Sequence, residues 1–594
     1  MKAKKVLSFL VFLITIPLCS QTFNNVGSQM GFNATYYVHN YIPGGGVAIG
    51  DLDNDGFPDV IIATADTAVG GGGIKVYHNN GGVSFTDITA STGINFVSSG
   101  LKCIIIGDFN NDGLRDVYIT SWYSGNRLYK NNGNGTFTNI TATAGVDVPN
   151  HYQSSVASWF DFNNDGYLDL YVANYGGIEG CGDEFNILFK NNGNGTFSDV
   201  TSAAGVADSS MKKPLAIVCF DYNYDGWQDI MIANDKGQRP TLFKNNGNST
   251  FTDVTLTCGV MCICDGMGLT LGDINHSGNL SVYMSNNING NFLFRNNGNG
   301  TFTNISGPSG IQMNKNCWGA NFFDYDNEGW DGLFVTASLG IDMCDAYFKN
   351  NHNNTFTNVV SGVGLVDSCQ SHGSAVCDFN NDGYPDLFVT EIDSNVHVYK
   401  NNGGTNHWIK FKCTGTISNK DAIGTSLTIY YAGTVHKKAI LGGNSFLSCD
   451  DVVQLFGLGT ATGIDSVRIN WTNGMTETAY NLAADRIYYA VEGSGIIGIQ
   501  NISSQVPKSF NLAQNYPNPF NPSTKIQFSL PENEFVNIKV YDITGREVTT
   551  LVNQNLRAGV YSTDFNGSNL SSGVYFYTIR TAGFAETKKM ILTK

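Results

Sequence analysis

A nine-residue acidic loop recurs seven times in the first two-thirds of the chain. In order the copies read DLDNDGFPD, DFNNDGLRD, DFNNDGYLD, DYNYDGWQD, DINHSGNLS, DYDNEGWDG and DFNNDGYPD, and they begin at Asp51, Asp108, Asp161, Asp221, Asp273, Asp324 and Asp378. Consecutive copies start 51 to 60 residues apart. A near-constant period of this length is typical of repeat architectures, in which each unit is one supersecondary element.

The intact copies have the ligand spacing of a calcium loop. Side-chain oxygens stand at positions 1, 3, 5 and 9, position 6 is glycine, and position 7 offers its backbone carbonyl. Hard oxygen donors around a sharp glycine turn suit a hard cation such as calcium. The predicted ligands are Asp51, Asp53, Asp55, Phe57, Asp59, Asp108, Asn110, Asp112, Leu114, Asp116, Asp161, Asn163, Asp165, Tyr167, Asp169, Asp221, Asn223, Asp225, Trp227, Asp229, Asp378, Asn380, Asp382, Tyr384 and Asp386.

The sequence around the loops excludes an EF-hand. Position 12 should then be a bidentate Glu, but it is Ile62, Ile119 and Val172 in the first three copies. The flanking residues are β-branched and aromatic, so the loops are predicted to join strands. Acidic turns without metal are the alternative, and the copies at Asp273 and Asp324 favour it because Ser, Glu or Gly replaces Asp at their positions 5 and 9. We expect structural calcium in the five intact loops and leave the other two open.

A second motif follows six of the loops and completes the repeat. Copies such as LYKNNGNGTFTNIT join an aromatic strand to a Thr-Phe strand through an Asn/Gly turn, and they begin at Val76, Leu128, Leu188, Leu242, Leu293 and Tyr347. This pattern predicts a β-hairpin. With the two strands that flank the acidic loop, each repeat has four antiparallel strands, which is a propeller blade.

The seventh repeat predicts how the ring closes. It has VYKNNGG from Val398 but lacks the Thr-Phe strand, and a matching segment, TFNNVGSQMGF, begins at Thr22. We therefore predict an all-β fold with a seven-bladed β-propeller over residues 21–403, in which the N-terminal segment completes the last blade.

These motifs resemble the FG-GAP/VCBS repeats of integrin α-like propellers over roughly residues 22–403. The resemblance implies that the calcium loops lie on one face, between the first and second strands of each blade, and that the ions are structural. It also implies that ligands bind the opposite face or the rim.

Residues 404–493 resemble the ASPIC/UnbV domain, a β-rich unit that commonly follows such propellers. The matching residues are Gly442, Gly443, Ser445, Phe446, Leu447, Phe456, Gly457, Leu458, Gly459, Ile464, Asp465, Val467 and Trp471. Where the family often has His before Phe-Gly-Leu-Gly, this chain has Gln454 and Leu455, so any role of that His does not carry over.

A linker is predicted at 494–509, followed by a small C-terminal β-sandwich at 510–594. This last unit resembles the C-terminal sorting domain of type IX secretion in Gram-negative bacteria, on the stretches Asn515–Ser523, Val540–Val548 and Ser572–Lys594. The resemblance implies export across both membranes, contact with the type IX machinery, and a secreted or surface-attached product.

The N-terminus has the features of a secretion signal. Three lysines precede an apolar run at residues 6–18, which is too short to span a membrane. We expect a signal peptide at residues 1–20 and no transmembrane span in the mature chain; a retained anchor or a lipoprotein processed at Cys19 is the alternative.

Composition narrows the class of partner. The formal net charge is −16, and only 14% of residues are charged. An acidic chain without a basic cluster argues against nucleic acid as partner. No phosphate-cradling loop and no GxSxG or HExxH motif is present, so no catalytic residue can be assigned from the sequence.

The sequence is compatible with two functions. The first is a secreted or cell-surface binding and adhesion module for extracellular glycans or proteins; the alternative is a secreted polysaccharide lyase or hydrolase whose site lies opposite the calcium loops. A His with a nearby Lys or carboxylate, such as His151 or His372 with Lys212 or Asp265, could supply acid and base. The candidate residues of that face are Trp122, Tyr123, Arg127, His151, Tyr152, Tyr175, Glu179, Asp183, Glu184, Lys212, Lys213, Lys236, Arg239, Asp265, Lys315, Trp318, Asp342, Asp345 and His372.

We predict that removing calcium loosens the propeller. Each intact loop gathers three or four carboxylates, which repel one another without a cation. A chelator should therefore lower the melting temperature of residues 21–493, and excess calcium should restore it. An unchanged melting temperature, with no calcium found by elemental analysis, would contradict the prediction.

Overall fold

The structure is a computed structural model of the protein. It describes residues 22–594 except 37–43, 65–71, 99, 123, 150–151, 177–184, 209–211, 339–343, 367–369, 393, 504–505, 557 and 568–569. The predicted signal peptide lies outside the described residues. No helix in the described part of the chain is long and apolar enough to cross a membrane.

Seven antiparallel sheets of the same design make up the first unit, and each is called a blade below. The first strands are Val47–Gly50, Leu101–Gly107, Ser154–Phe160, Pro214–Phe220, Leu269–Gly272, Asn316–Phe323 and Ser371–Cys377. The second strands are Asp59–Thr64, Asp116–Ser121, Asp169–Asn174, Asp229–Asn234, Ser281–Met284, Gly332–Ser338 and Asp386–Glu391.

The two outer strands of each blade form the predicted hairpin. The third strands are Gly72–Asn79, Arg127–Asn131, Ile187–Asn191, Thr241–Asn245, Phe292–Asn296, Ala346–Asn350 and His397–Asn401. The fourth strands are Phe85–Asp87, Phe137–Asn139, Phe197–Asp199, Phe251–Asp253, Phe302–Asn304, Phe356–Asn358 and, for blade 7, Phe23–Asn25. Two further short strands, Thr35–Tyr36 and Ser394–Asn395, pair with each other, and Val97–Ser98 pairs with the third strand of blade 1.

Burial explains why these segments become strands. The first strand Leu101–Gly107 is buried throughout, as a strand with a blade on either side requires. Each fourth strand begins with a buried Phe and continues with two exposed residues, which is the pattern of an edge facing water on one side. Five of these edges run into a single helical turn, at Thr89–Thr92, Thr141–Ala144, Thr201–Ala204, Ser306–Ser309 and Val360–Val363.

The N-terminal segment closes the ring. Phe23 lies opposite Asn401 and Asn25 lies opposite Tyr399 in an antiparallel ladder. The first strands of neighbouring blades pack side by side, and that of blade 7 packs beside that of blade 1. The all-β class and closure by the N-terminal strand agree with the sequence prediction.

The second unit has two sheets. One pairs Thr434–Ala439, Ser426–Tyr431, Gly463–Asn470 and Thr476–Ala483 in that order. The other begins with Gln454–Gly459, His407–Thr414 and Arg486–Val491 and continues into the C-terminal unit through Gly495–Ser503, Gly559–Asn566, Ser523–Leu530 and Asn511–Leu512. The remaining C-terminal sheet pairs Glu547–Leu556, Glu534–Tyr541, Gly573–Arg580 and Ala585–Leu592.

The predicted linker is corrected by this continuous sheet. Gly495–Ser503 pairs with Arg486–Val491 on one side and with Gly559–Asn566 on the other. Ile499 is 6% exposed and belongs to the core of the C-terminal unit. Residues 495–503 of the linker predicted at 494–509 therefore form a strand shared by the two units.

The second unit also fills the centre of the propeller. Residues Gly442–Cys449, called the channel segment below, run between the first strands, and Phe446 and Leu447 are completely buried. Its backbone carbonyls accept hydrogen bonds from the first-strand amides of blades 1, 2, 3 and 5, which are those of Ile49, Ile104, Trp159 and Leu269. Ala320 of blade 6 donates to the Ser445 hydroxyl at 2.9 Å. The open inner edges of the first strands thus find partners in the channel segment.

Phe446 tests how much the channel segment contributes to stability. Phe446→Ala should lower the free energy of unfolding by about 3–5 kcal/mol, because it opens a cavity among buried rings. Phe535→Ala is the matched control, since Phe535 is 50% exposed in the C-terminal unit. Denaturant unfolding would measure both, and equal, small losses would show that the channel segment is not part of the core.

Candidate metal centre

The seven acidic loops share one backbone conformation. In each, the Asp at position 1 accepts the amide of the glycine at position 6 through Oδ2, at 2.5–3.2 Å. These glycines have φ between 73° and 100°, a region that favours glycine. The degenerate loops at Asp273 and Asp324 fold as the intact ones do, so glycine and the first Asp are enough to set the turn.

The side chains at positions 3 and 5 each accept a hydrogen bond from the backbone amide two residues later. In loop 2, the Asn110 side-chain oxygen accepts the Asp112 amide at 2.9 Å, and the Asp112 carboxylate accepts the Leu114 amide at 3.0 Å. Loops 1, 3, 4 and 7 repeat both bonds. The side chains at positions 3 and 5 are therefore held by the same turns in all five intact loops.

The chemistry of these loops fits a divalent cation. Burial raises the pKa of Asp53 and Asp221 to about 6 and that of Asp108 and Asp161 to about 7. Asp51 Oδ1, in a residue only 5% exposed, has no hydrogen-bond partner among the described residues. The Asp53 side chain remains 40% exposed, whereas Asp51 is buried. Closely spaced carboxylates, one of them with an unpaired buried oxygen, are donors that calcium would hold ionised. Calcium binding by the twenty-five predicted ligands stays a prediction.

Loops 5 and 6 use protein cations and amides in place of missing ligands. Asp273 Oδ2 accepts the Lys437 backbone amide at 3.2 Å, and Lys349 binds Asp326 at 2.8 Å and Glu328 at 3.0 Å. Asp331 stands at position 8 of loop 6. Its burial alone would raise its pKa, but the neighbouring Lys438 and His436 hold that pKa below its usual range. Lys349 lies beside loop 6 as Lys130, Lys190 and Lys244 lie beside intact loops, so its contact does not distinguish loop 6 from them. The metal-free alternative is favoured by the replaced ligand positions and by the Lys437 and Lys438 contacts.

Position 4 of the loop joins each blade to the next. The Asn54 side chain donates to the Gly113 carbonyl at 2.8 Å, and Asn381 donates to Gly56 at 2.9 Å, which links blade 7 to blade 1. The loops of blades 2, 3, 5 and 6 repeat this bond through Asn111, Asn164, His276 and Asn327. In blade 4 the Tyr224 hydroxyl accepts the Leu280 amide at 2.8 Å instead.

The hairpin asparagine forms a second inter-blade link. The first Asn of each Asn-Asn turn is 3% exposed or less, and its side-chain amide donates to the carbonyl at position 2 of the preceding blade's loop. All seven bonds are present, at 2.8–3.0 Å, from Asn79, Asn131, Asn191, Asn245, Asn296, Asn350 and Asn401. In the five intact loops its backbone amide also donates to the Asp at position 9.

The spacing of the calcium ligands predicts neither the bond from position 4 nor the bond from the hairpin asparagine. The signal was present, because Asn recurs at position 4 although that position is not a calcium ligand, and Asn-Asn recurs at all seven hairpins although a turn needs only one such residue. Repetition beyond what the local turn requires was the clue to a contact between repeats.

The second unit covers the face that carries the acidic loops, and it touches every loop. Lys410 binds Asp378 at 3.0 Å, Lys412 binds Asp51 at 3.2 Å, and Asp421 binds Arg115 at 2.9 Å. The Ile417 carbonyl lies beside Gly166 of loop 3, and the Lys437 ammonium lies over the Tyr224 ring of loop 4. The Lys437 backbone amide donates to Asp273 of loop 5, and His436 contacts Asp331 of loop 6. The face that carries the acidic loops is therefore an interface inside this chain.

The candidate residues of the opposite face divide into buried and accessible ones. Trp122, Tyr175, Trp318 and His372 are 3–8% exposed, and three of them place their polar atoms on buried partners of their own face. Lys236 keeps 65% of its side chain exposed. Tyr123, His151, Glu179, Asp183, Glu184 and Asp342 lie outside the described residues.

The proposed acid–base pairing of His372 with Lys212 or Asp265 is not formed. His372 lies in blade 7 against Trp318 and Phe446, whereas Lys212 binds the Arg239 carbonyl at 3.0 Å and Asp265 binds Asn287. Lys212 and Asp265 precede the first strands of blades 4 and 5, whereas His372 lies in the first strand of blade 7.

Family comparisons agree with this architecture. The FG-GAP-like repeat matches residues 51–119, 108–172, 161–232 and 221–284, the ASPIC and UnbV family matches 415–496, and the secretion system C-terminal sorting domain matches 514–593. The chain combines FG-GAP-like repeats, an ASPIC/UnbV domain and a sorting domain. The sorting domain indicates type IX secretion, for export or attachment at the cell surface.

Curated relatives of this FG-GAP repeat protein are distant. Cartilage acidic protein 1 of Mus musculus is 24% identical over 394 residues, covering 53% of this chain and 60% of that protein. The Homo sapiens protein of the same name is 23% identical over 394 residues, covering 53% and 59%. The chain thus spans 60% or less of the length of these relatives. Among solved structures, the Dos1 propeller has a TM-score of 0.33 at 10% identity, covering 62% of this chain and 96% of that one.

Asn131 tests the hairpin link. Asn131→Ala removes the hydrogen-bond partner of the Leu52 and Arg115 carbonyls and of the Gly133 amide. It should lower the free energy of unfolding by about 2–5 kcal/mol. Asn132→Ala is the matched control, because Asn132 is exposed and bonds only within its own turn. Thermal and denaturant unfolding would compare the two, and a loss within about 0.5 kcal/mol for both would contradict the role of the link.

His372 gives a pH prediction. Burial, with Lys102 nearby, lowers the pKa of His372 to about 3. Below about pH 6.5 the unfolded chain therefore binds a proton that the folded chain does not, so this group's stabilising contribution is lost as pH falls. From pH 7 to 5 the wild-type protein should lose about 2 kcal/mol more stability than His372→Gln. His352→Gln, at a half-exposed side chain, should keep the wild-type pH dependence.

Proposed function

We propose that the protein is an exported, calcium-stabilised binding module whose ligand surface is the propeller face opposite the acidic loops, together with the rim. The observation that carries this proposal is the position of the ASPIC/UnbV domain. It covers the loop face and fills the channel, so the opposite face is the broad propeller surface that remains available for an extracellular glycan or protein.

Calcium has a structural role in this proposal. The five intact loops would hold the ion through their Asp and Asn oxygens and the carbonyl at position 7. Each loop is bonded to its neighbour and to the ASPIC/UnbV domain, so ordering one loop would stabilise contacts on both sides. The protein residues provide the cage, and the ion would neutralise it.

The accessible part of the opposite face has both charged and apolar side chains. Around blades 4 and 5 lie Lys236, Met261, Ile263 and Ile288, whose apolar members are 44–66% exposed. Of the described aromatic rings of this face, Trp122, Tyr175 and Trp318 are buried, Tyr152 is half-buried and Phe185 is 38% exposed. Few exposed rings therefore remain on which a sugar could stack. This composition favours a protein ligand over a glycan within the proposed function.

The alternative, a polysaccharide-degrading enzyme, has less support. Its acid–base candidate His372 is 3% exposed, and the channel that could hold a sugar chain is filled by Phe446 and Leu447. His151, the other candidate, lies outside the described residues, so the enzyme hypothesis rests on that part of the face.

A panel of soluble polysaccharides and extracellular matrix proteins separates the two functions. The calcium-loaded protein is incubated with each, and both retention and new reducing or unsaturated chain ends are measured. We expect retention of an unchanged ligand and its loss in Lys236→Glu, with Lys525→Glu in the sorting domain as the control. New chain ends formed by the wild-type protein would establish the enzyme instead.

A further inference from the structure

Loop 1 differs chemically from the other acidic loops. It carries carboxylates at all four ligand positions, Asp51, Asp53, Asp55 and Asp59, whereas the other intact loops have Asn at position 3. A site with one more negative charge binds divalent cations more strongly, since ligand charge tunes affinity in such loops.

The hairpin beside loop 1 also differs. The residue before the Asn-Asn turn is His78 in blade 1, and it is Lys or Arg in the other six, at Lys130, Lys190, Lys244, Arg295, Lys349 and Lys400. In loops 2, 3 and 4 this lysine contacts the carboxylate at position 5 at 3.0–3.4 Å. A lysine of the hairpin therefore already stands beside position 5 of those three loops, and loop 1 has His78 in its place.

His78 points into the same group of carboxylates. Its Nδ1 lies 3.4 Å from Asp53 Oδ2 and 3.1 Å from Asp59 Oδ1. One ligand atom from each of Asp53, Asp55 and His78 lies within 4.8 Å of the others, a grouping that the described residues form only here. Ligands around tetrahedral zinc are separated by about 3.4 Å, so small side-chain rotations would bring these atoms onto one ion.

An independent observation marks the same place. Asp51 is 5% exposed, and its Oδ1 has no hydrogen-bond partner among the described residues. Its Oδ2 accepts the Gly56 amide at 3.2 Å, which holds the carboxylate inside the curve of the loop. Lys412 contacts that Oδ2 from outside, as Lys410 does for Asp378 in loop 7, so this contact does not distinguish the two loops.

We propose that loop 1 is a mixed nitrogen and oxygen site for a divalent first-row transition metal, represented by zinc, with His78 as a ligand beside the aspartates. Imidazole is a preferred ligand of such metals, while calcium takes oxygen ligands. The other intact loops offer oxygen alone and keep their neighbouring lysine. The proposal rests on the acidic loops being metal sites, and it makes loop 1 different in kind from its repeats.

The test uses the full mature protein, stripped of metal and then given excess calcium and a small amount of zinc. After gel filtration, elemental analysis should find one zinc per chain in the wild-type protein. His78→Lys, which restores the residue of the other blades, should weaken zinc binding about 10- to 100-fold. Lys130→His, which builds the same arrangement in loop 2, should gain zinc, and His352→Gln at an exposed histidine should change nothing.

The outcomes separate this inference from the proposed function. Zinc fully displaced by calcium from the wild-type protein, or retained unchanged by His78→Lys, would overturn the inference while leaving structural calcium intact. One bound zinc that depends on His78, with no calcium in any loop, would support the inference and end the calcium proposal. If His78→Lys fails to fold, Lys130→His decides the question: a gain of zinc supports the inference, and no gain overturns it.

Discussion

The first asparagine of each Asn-Asn turn is the residue through which neighbouring blades are joined. It is buried, and a buried amide must be paired or it costs about 1–3 kcal/mol. Its side chain reaches the loop of the preceding blade, and in the intact loops its backbone reaches the Asp at position 9 of its own. Loop shape, hairpin position and the contact between blades are therefore set together, and a metal ion in the loop would act on all three.

A second set of contacts depends on this ring of loops. The ASPIC/UnbV domain places Lys410, Lys412 and Asp421 against loops 7, 1 and 2, and it sends the channel segment between the first strands. Lys410 and Asp378 are both nearly inaccessible to water, so each needs the other to remain charged at low cost. The propeller and the ASPIC/UnbV domain consequently form one structural unit, although they are separate in the sequence pattern.

Much of this fold was predictable because repetition reveals it. Seven loops with glycine at position 6 predicted the blades, and the Thr-Phe pattern at Thr22 predicted the closing strand. The channel segment was not predictable, since nothing in GGNSFLSC shows that its partners are strands up to 400 residues earlier. Which residues of the opposite face are buried could not be predicted for a related reason. Trp122 and Trp318 look like loop aromatics in sequence, but burial depends on blades that are far away in the chain.

The chain order of the closing elements constrains how the protein can mature. The strand Phe23–Asn25 leaves the ribosome first, yet its partner His397–Asn401 comes last in the propeller, and the channel segment follows about 40 residues later. Contacts of such long sequence separation make folding slow. The ring cannot close, nor its centre fill, until most of the chain has been made. In an exported protein, this order leaves the propeller open, and its inner strand edges unpaired, until the segments far downstream have been added.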